Sequence, residues 1–209
     1  MNEVFMGIDV GTTGCRAGAF DEKGEMLSEA YRDYAIYYPK PGWCTQNDIE
    51  VWNKIKESIK EITSQIDGTK ILGIGVDCTS STVLSVNKQG KPLHDPILWN
   101  DMRAVKQTAE INRTKHEVLK HCGYEVANEW MLPKTLWIKK NEPEIYKNAY
   151  KIVEEIDWVN YMITHRWTTS KCNVICKSNY LEDGWPIRYY SSINFEDFDK
   201  KWITDISPV

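Results

Sequence analysis

No apolar run in this sequence approaches the ~20 residues that cross a bilayer. Met1-Asn2-Glu3-Val4 also lacks the basic start and apolar core of a signal peptide. Both absences point to a cytoplasmic protein with no membrane partner. A basic excess is missing as well: the formal net charge is -4, so nucleic acid is not an expected partner. Short basic clusters such as Lys139-Lys140 and Lys200-Lys201 read as solvated surface. No two cysteines are spaced CxxC. The six, at 15, 44, 78, 122, 172 and 176, read as reduced and mostly buried thiols rather than disulfides or a zinc site. Neither a GxGxxG turn nor a Gly-Lys-Ser/Thr loop is present. There is no internal repeat, low-complexity tract or clear linker.

What the sequence does hold is 209 residues, 42% of them hydrophobic, enough to bury a sizeable core in one large domain or two small ones. Nine tryptophans and eleven tyrosines exceed what a few surface positions need. Most are expected inside, and a few can line a groove where an aromatic face stacks on the C–H side of a sugar.

The most informative stretch is Met6-Gly7-Ile8-Asp9-Val10-Gly11-Thr12-Thr13-Gly14-Cys15-Arg16-Ala17. An apolar strand ends in an aspartate, a Gly- and Thr-rich turn follows, and a second strand runs back. Such a turn offers backbone N–H groups and two hydroxyls to an anion. A carboxylate about 4 Å from a phosphate charge costs roughly 4 kcal/mol at an effective dielectric of 20. Asp9 therefore belongs beside phosphate only with a cation between them, and Mg²⁺ is the usual one. The stretch reads either as a Mg-nucleotide phosphate hairpin or as a plain β-hairpin whose aspartate ends a strand.

Further along, strands and helices alternate. Val4 to Val10 is expected as a buried strand, with Cys15 to Phe20 and Glu25 to Tyr31 as antiparallel partners joined by the turn Asp21-Glu22-Lys23-Gly24. After a loop over 37–46, Asp48 is the predicted cap of a helix with an apolar stripe of Ile49, Trp52, Ile55, Ile59, Ile62 and Ile66, ended by Gly68. Ile71 to Val76 reads as a second buried strand, Thr82 to Val86 as a third, and Pro96 to Trp99 as a short extended segment. Helical pattern covers 101–124. Another helix begins near Pro133, where the missing N–H does no harm in a first turn. A strand is expected over Ile152 to Glu155 and a helical segment over Trp158 to Ile163. The tail from Trp185 is polar and aromatic, without a clear period. This order is that of a three-layer α/β domain.

Several segments together resemble one family: the opening hairpin; Pro41-Gly42-Trp43-Cys44-Thr45-Gln46-Asn47-Asp48 with Trp52; Ile71-Leu72-Gly73-Ile74-Gly75-Val76; and Asn87-Lys88-Gln89-Gly90-Lys91-Pro92-Leu93 leading to Ile97-Leu98-Trp99-Asn100-Asp101-Met102-Arg103-Ala104. In this order they resemble the N-terminal domain of the FGGY carbohydrate kinases, which include glycerol kinase, xylulokinase, gluconokinase and the ribulokinases. The resemblance covers essentially all of 1–209. It implies an α/β fold, an actin-like ATPase (ribonuclease-H-like) domain with a mixed sheet flanked by helices.

Carried over by residue, the resemblance places Asp9 opposite Mg-ATP as the metal-facing carboxylate. It places Gly11, Thr12 and Thr13 at the phosphate, with Arg16 as the basic residue just beyond. Trp99 falls at the sugar site. Asp101 would accept hydrogen bonds from sugar hydroxyls while Arg103 holds it; the plainer alternative is a helix-start aspartate balancing the dipole. Glycerol kinase carries an Arg-Glu pair where this chain has Ser80 and Ser81, so a longer polyol than glycerol is implied. Asp77-Cys78-Thr79-Ser80-Ser81-Thr82, Met131-Leu132-Pro133-Lys134-Thr135-Leu136-Trp137 and Pro143-Glu144-Ile145-Tyr146 look like ribulokinases. So does Cys172-Asn173-Val174-Ile175-Cys176-Lys177, where the likeness makes Lys177 a substrate ligand; an exposed lysine after a strand is the alternative. Asp157 resembles a structural aspartate of the family. Trp99-Asn100-Asp101 is also xylulokinase-like, so the implied substrate is a ketopentose of ribulose or xylulose type.

The implied reaction moves the γ-phosphoryl group of ATP to a primary hydroxyl of that sugar, with Mg²⁺ neutralising charge. The family's general base is an aspartate in a Gly- and Ala-rich motif, which this sequence lacks. No catalytic residue is therefore assigned. The chain is expected to stop short of that motif and of the C-terminal nucleotide domain of the same parent chain, and to be inactive by itself. The resemblance leaves room for a homodimer. A different class is an actin-like nucleotide-binding or sugar-sensing domain without kinase turnover.

Overall fold

Strand β1, Val4–Val10, alternates: Val4, Met6, Ile8 and Val10 are buried while Phe5 and Asp9 are exposed. It is thus buried on one face only, where a wholly buried strand was expected. The computed structural model describes residues 3–207, and the chain divides into two compact units, Met1–Tyr37 with Gln46–Thr79, and Tyr38–Thr45 with Ser80–Val209.

In the first unit β2, Gly14–Asp21, runs antiparallel to β1, and β3, Met26–Asp33, antiparallel to β2. The fourth strand, β4, Ile71–Cys78, lies parallel to β1, giving a mixed sheet in the order β3-β2-β1-β4. Helix α1, Asp48–Gln65, packs on β2 and β3. Its cap is Asn47 rather than Asp48: the Asn47 side chain accepts a bond from Glu50 N at 2.9 Å, while Asp48 sits in the first turn, where its charge suits the helix dipole. The buried face is Val51, Ile55, Ser58 and Ile62, and Ile49 is 60% exposed. The helix is turned from the all-isoleucine stripe because small Ser58 lets it approach β2, its hydroxyl 3.9 Å from Cys15 Sγ. It ends at Gln65 with Ile66 extended, two residues before Gly68, which starts a 3₁₀ turn capped by the Asp67 side chain. Leu72 and Ile74 on β4 are exposed, at 59% and 45%. This edge strand is not the buried one expected, because α1 covers β2 and β3 and leaves β4 bare.

The second unit is built on β5, Val83–Val86, all four residues buried, paired antiparallel with β6, Lys151–Glu154. Around this ribbon lie α2, Val105–Arg113; α3, Met131–Asn141; α4, Pro143–Asn148; and α5, Glu155–Thr164. The helical pattern expected over 101–124 is interrupted. Asp101 precedes α2, and after α2 the chain turns at Lys115, φ +48°, into a 3₁₀ segment, Glu117–Cys122. A two-residue parallel pair, β7, Thr169–Ser170, and β8, Ile206–Ser207, flanks α6, Lys171–Ser178. The aromatic tail forms α7, Ile187–Ser192, and α8, Phe198–Lys201. Tyr189, Tyr190, Phe195 and Trp202 from it enter the same core as Leu132, Leu136 and Ile152. Gly90 is required in its turn: φ is +77°, and a Cβ would lie 2.2 Å from the Tyr161 ring.

All six cysteines are free, but Cys172 and Cys176 on α6 are exposed rather than buried. Among the described residues no helix is long and apolar enough to cross a membrane.

Asp157, in the first turn of α5, is 5% exposed and accepts a bond from Asn173 Nδ2 at 3.2 Å. Burial pushes its carboxyl up to about 7, with the Glu154 charge adding to the rise and bonds from Thr169 and Asn173 opposing it. Between the ordinary carboxylate range and about pH 7 the folded chain holds a proton at Asp157 that the unfolded chain releases, so this group lowers stability as pH rises through that window. Asp157→Asn should gain on the wild type across the same window by up to a few kcal/mol; urea unfolding at a series of pH values reads the difference. Asn47→Ala should cost about 1 kcal/mol in the same assay and Asp48→Ala less, the reverse order contradicting the cap assignment.

Candidate functional site

The turn joining β1 to β2 is fixed from one side. Gly11 O accepts from Tyr34 Oη at 2.5 Å, Thr12 O from Gln46 Nε2 at 2.6 Å, and Thr13 O from Tyr34 N at 3.2 Å. A trans peptide points its N–H away from its C=O, so anchoring these carbonyls turns the Thr12 and Thr13 amides to the opposite side. None of the turn residues has a positive φ. Gly14 is needed for close approach instead, since a Cβ there would sit 2.6 Å from Arg32 O.

Register then sets what stands beside the turn. Asp9 on β1 is paired with Arg16 on β2 and with Asp77 on β4. All three are exposed and face the same side of the sheet. The next row is Gly18, Gly7 and Gly75. These two rows border a hollow of about 580 Å³ whose wall also includes Phe20, Met26 and Glu29. At Gly75 a Cβ would meet nothing within 4 Å, so the glycine row leaves an open floor there. Arg16 lies 5.4 Å above the Tyr31 ring. Like charges directly opposite on neighbouring strands are unfavourable, and a divalent cation between Asp9 and Asp77 would remove that cost. The donor set, two carboxylates beside a turn of outward amides, fits magnesium carried on a polyphosphate. Asp77, Tyr34 and Gln46 were not among the expected site residues. Only Asp77 had a readable signal, the repeated Gly7-Ile8-Asp9 and Gly75-Val76-Asp77.

The second unit holds the other expected residues. Ser80 is exposed, whereas Ser81 is 3% exposed and sits at φ +68°. Ser81 N donates to Glu154 Oε2 at 2.9 Å, and Lys134 Nζ donates to Ser81 O at 2.6 Å and to Leu98 O at 2.7 Å. Burial lowers the Lys134 ammonium to about 7 against the pull of Glu154 and Asp101. Burial raises the Glu154 carboxyl, opposed by the Ser81 amide, Lys177 and Lys134. Trp99, next to Leu98, is 41% exposed. Lys177 is half-buried in the last turn of α6, on a helix rather than after a strand.

Asp101 and Arg103 are placed differently from the expectation. Asp101 is wholly buried. Its oxygens accept from Cys44 N at 2.6 Å, Arg103 N at 2.8 Å, Arg103 Nε at 2.8 Å and Arg103 Nη2 at 2.7 Å. The Arg103 guanidinium lies 3.8 Å from the Trp43 ring centroid and 5.0 Å from that of Trp137. With its bonds satisfied and no exposed surface, this carboxylate is closed to sugar hydroxyls, and the pair instead ties the 38–45 loop to the segment after Trp99. Nor does Asp101 start a helix, since α2 begins at Val105.

A sequence model described as the FGGY family of carbohydrate kinases, N-terminal domain, matches residues 4–182. The human FGGY carbohydrate kinase domain-containing protein is 33% identical over 204 residues, covering 93% of this chain and 37% of its own. The D-ribulokinase YDR109C of Saccharomyces cerevisiae is 28% identical over 216 residues, covering 94% and 30%. The chain thus spans about a third of the length of these relatives. In structure, the crystal form of Plasmodium falciparum glycerol kinase with ADP superposes with a TM-score of 0.86 at 20% identity, over 98% of this chain and 43% of the other. The mixed sheet with flanking helices is accordingly the actin-like α/β fold that was expected. The chain belongs to the FGGY family of carbohydrate kinases and carries its N-terminal domain.

Proposed function

We propose that this chain contributes the phosphate-holding and sugar-holding residues of an ATP-dependent kinase that phosphorylates a primary hydroxyl of a ketopentose, ribulose or xylulose in type. The observation that carries the reading is the row Asp77–Asp9–Arg16 in register beside the anchored Gly11-Thr12-Thr13 turn. Asp9, with Asp77 alongside, would hold magnesium, and the Thr12 and Thr13 amides with Arg16 would hold phosphate oxygens. When bound, the metal neutralises charge on the nucleotide.

For the sugar, the reading rests on Ser80, Trp99 and Lys177. Exposed Ser80 presents a hydroxyl in place of a charged clamp, half-exposed Trp99 offers a ring face to sugar C–H groups, and Lys177 offers donors to hydroxyls. Asp101 and Arg103 act through the Trp99 segment. No residue is assigned as general base, an effect commonly worth 10²–10⁴-fold. The 209-residue chain should therefore give no turnover of D-ribulose, D-xylulose or glycerol above a blank in a coupled assay. The two ketopentoses should perturb its tryptophan emission and glycerol should not. Turnover by the chain, or an equal response to glycerol, would contradict this reading.

A further inference from the structure

Ser81 carries a Cβ yet adopts the left-handed conformation, which L-residues other than glycine seldom hold without outside support. The support comes from two buried charged side chains on different elements. Glu154, at the end of β6, takes the Ser81 amide, and Lys134, on α3, takes the Ser81 carbonyl. Lys134 is wholly buried and spends a second donor on the carbonyl of Leu98, the residue before Trp99. One ammonium thus fixes both the Ser80-Ser81 turn and the Trp99 segment. Glu154 is 1% exposed, and its other oxygen, Oε1, is buried without a hydrogen-bond partner. The Lys177 ammonium is near enough to act on that carboxyl electrostatically. Ser81 and Leu98-Trp99, which are far apart in sequence, are therefore joined through Lys134, with Glu154 holding Ser81 as well. A buried ion is costly and a neutral side chain would pack more cheaply, so stability alone does not account for this arrangement.

We propose that Lys134 is the positioning residue of the polyol site, setting the Ser80-Ser81 turn and the Trp99 segment in the one arrangement that accepts a ketopentose, with Glu154 fixing the turn from its other side. Lys134 does not touch the sugar; it acts through the two backbone carbonyls. This rests on the sugar reading proposed above.

The test compares the whole chain as wild type, Lys134→Met and Lys134→Gln. Titrations with D-ribulose and D-xylulose are followed by tryptophan emission, ¹H–¹⁵N spectra report the Ser81 amide and the Trp99 indole, and thermal melts verify folding. Lys134→Met keeps the length and burial but loses both donors, and should weaken sugar binding about tenfold or more. The Ser81 and Trp99 resonances should move together while those of β1 to β4 stay in place. Lys134→Gln keeps a shorter donor and should lose less; it replaces the Met variant if that fails to fold. A folded variant with wild-type sugar affinity, or with unmoved Ser81 and Trp99 resonances, would overturn the proposal. A wild-type chain that responds to neither sugar would instead contradict the sugar reading. The two resonances then decide the positioning role on their own, a joint shift upholding it and no shift overturning it.

Discussion

In a sheet, the pairing register decides which side chains share a face, and a slip of one residue would send each to the opposite side. Here β1 is the hinge of that constraint because it pairs with both β2 and β4. Its alternation buries Ile8 and Val10 and turns Asp9 outward. The same register brings Arg16 to one side of Asp9 and Asp77 to the other, with a row of glycines below. The proposed phosphate site depends on that pairing and on the three carbonyls that Tyr34 and Gln46 hold back from the turn.

The second unit is organised by buried charge rather than by register. Asp101 and Arg103 satisfy one another and a loop amide. Glu154 takes the backbone N–H and Lys134 the backbone carbonyl of one serine, Ser81. Such groups are expensive to bury; the Asp101 oxygens have their bonds, whereas Glu154 keeps one oxygen without a hydrogen-bond partner. Their effect is to make the Ser80-Ser81 turn and the Trp99 segment parts of one rigid core, leaving Ser80, Trp99 and Lys177 as the accessible groups.

Much of this could be read from sequence, and the misses have physical causes. The meander β1 to β3 follows from local alternation and turn residues, whereas β5 and β6 show in the sequence only as two short apolar strands, and their pairing across the intervening helices carries no local signal. Helix α1 was found by its period, but its buried face was set by the small Ser58 against Cys15, a contact no helical wheel contains. The exposure of β4 reflects what covers it, which pattern alone does not state. The sequence leaves Asp101 open as a sugar ligand or a helix-start aspartate because an Asp–Arg pair carries no mark of burial; the rings of Trp43 and Trp137 beside Arg103 come from distant segments. Asp77 was legible in hindsight through the paired Gly-x-Asp strands, whereas Tyr34 and Gln46 act by position only. The same holds for Lys134, whose helix pattern reads as ordinary.

On the proposed function, Asp9 meets a polyphosphate through a divalent cation. Calorimetric titration of the chain with inorganic tripolyphosphate, with and without Mg²⁺, in wild type and Asp9→Asn, tests it most directly. Mg²⁺ should tighten binding to the wild type, the variant should lose this gain, and without the metal the variant should bind the anion better because a like charge has gone. Equal wild-type affinity with and without Mg²⁺, unchanged in Asp9→Asn, would contradict it.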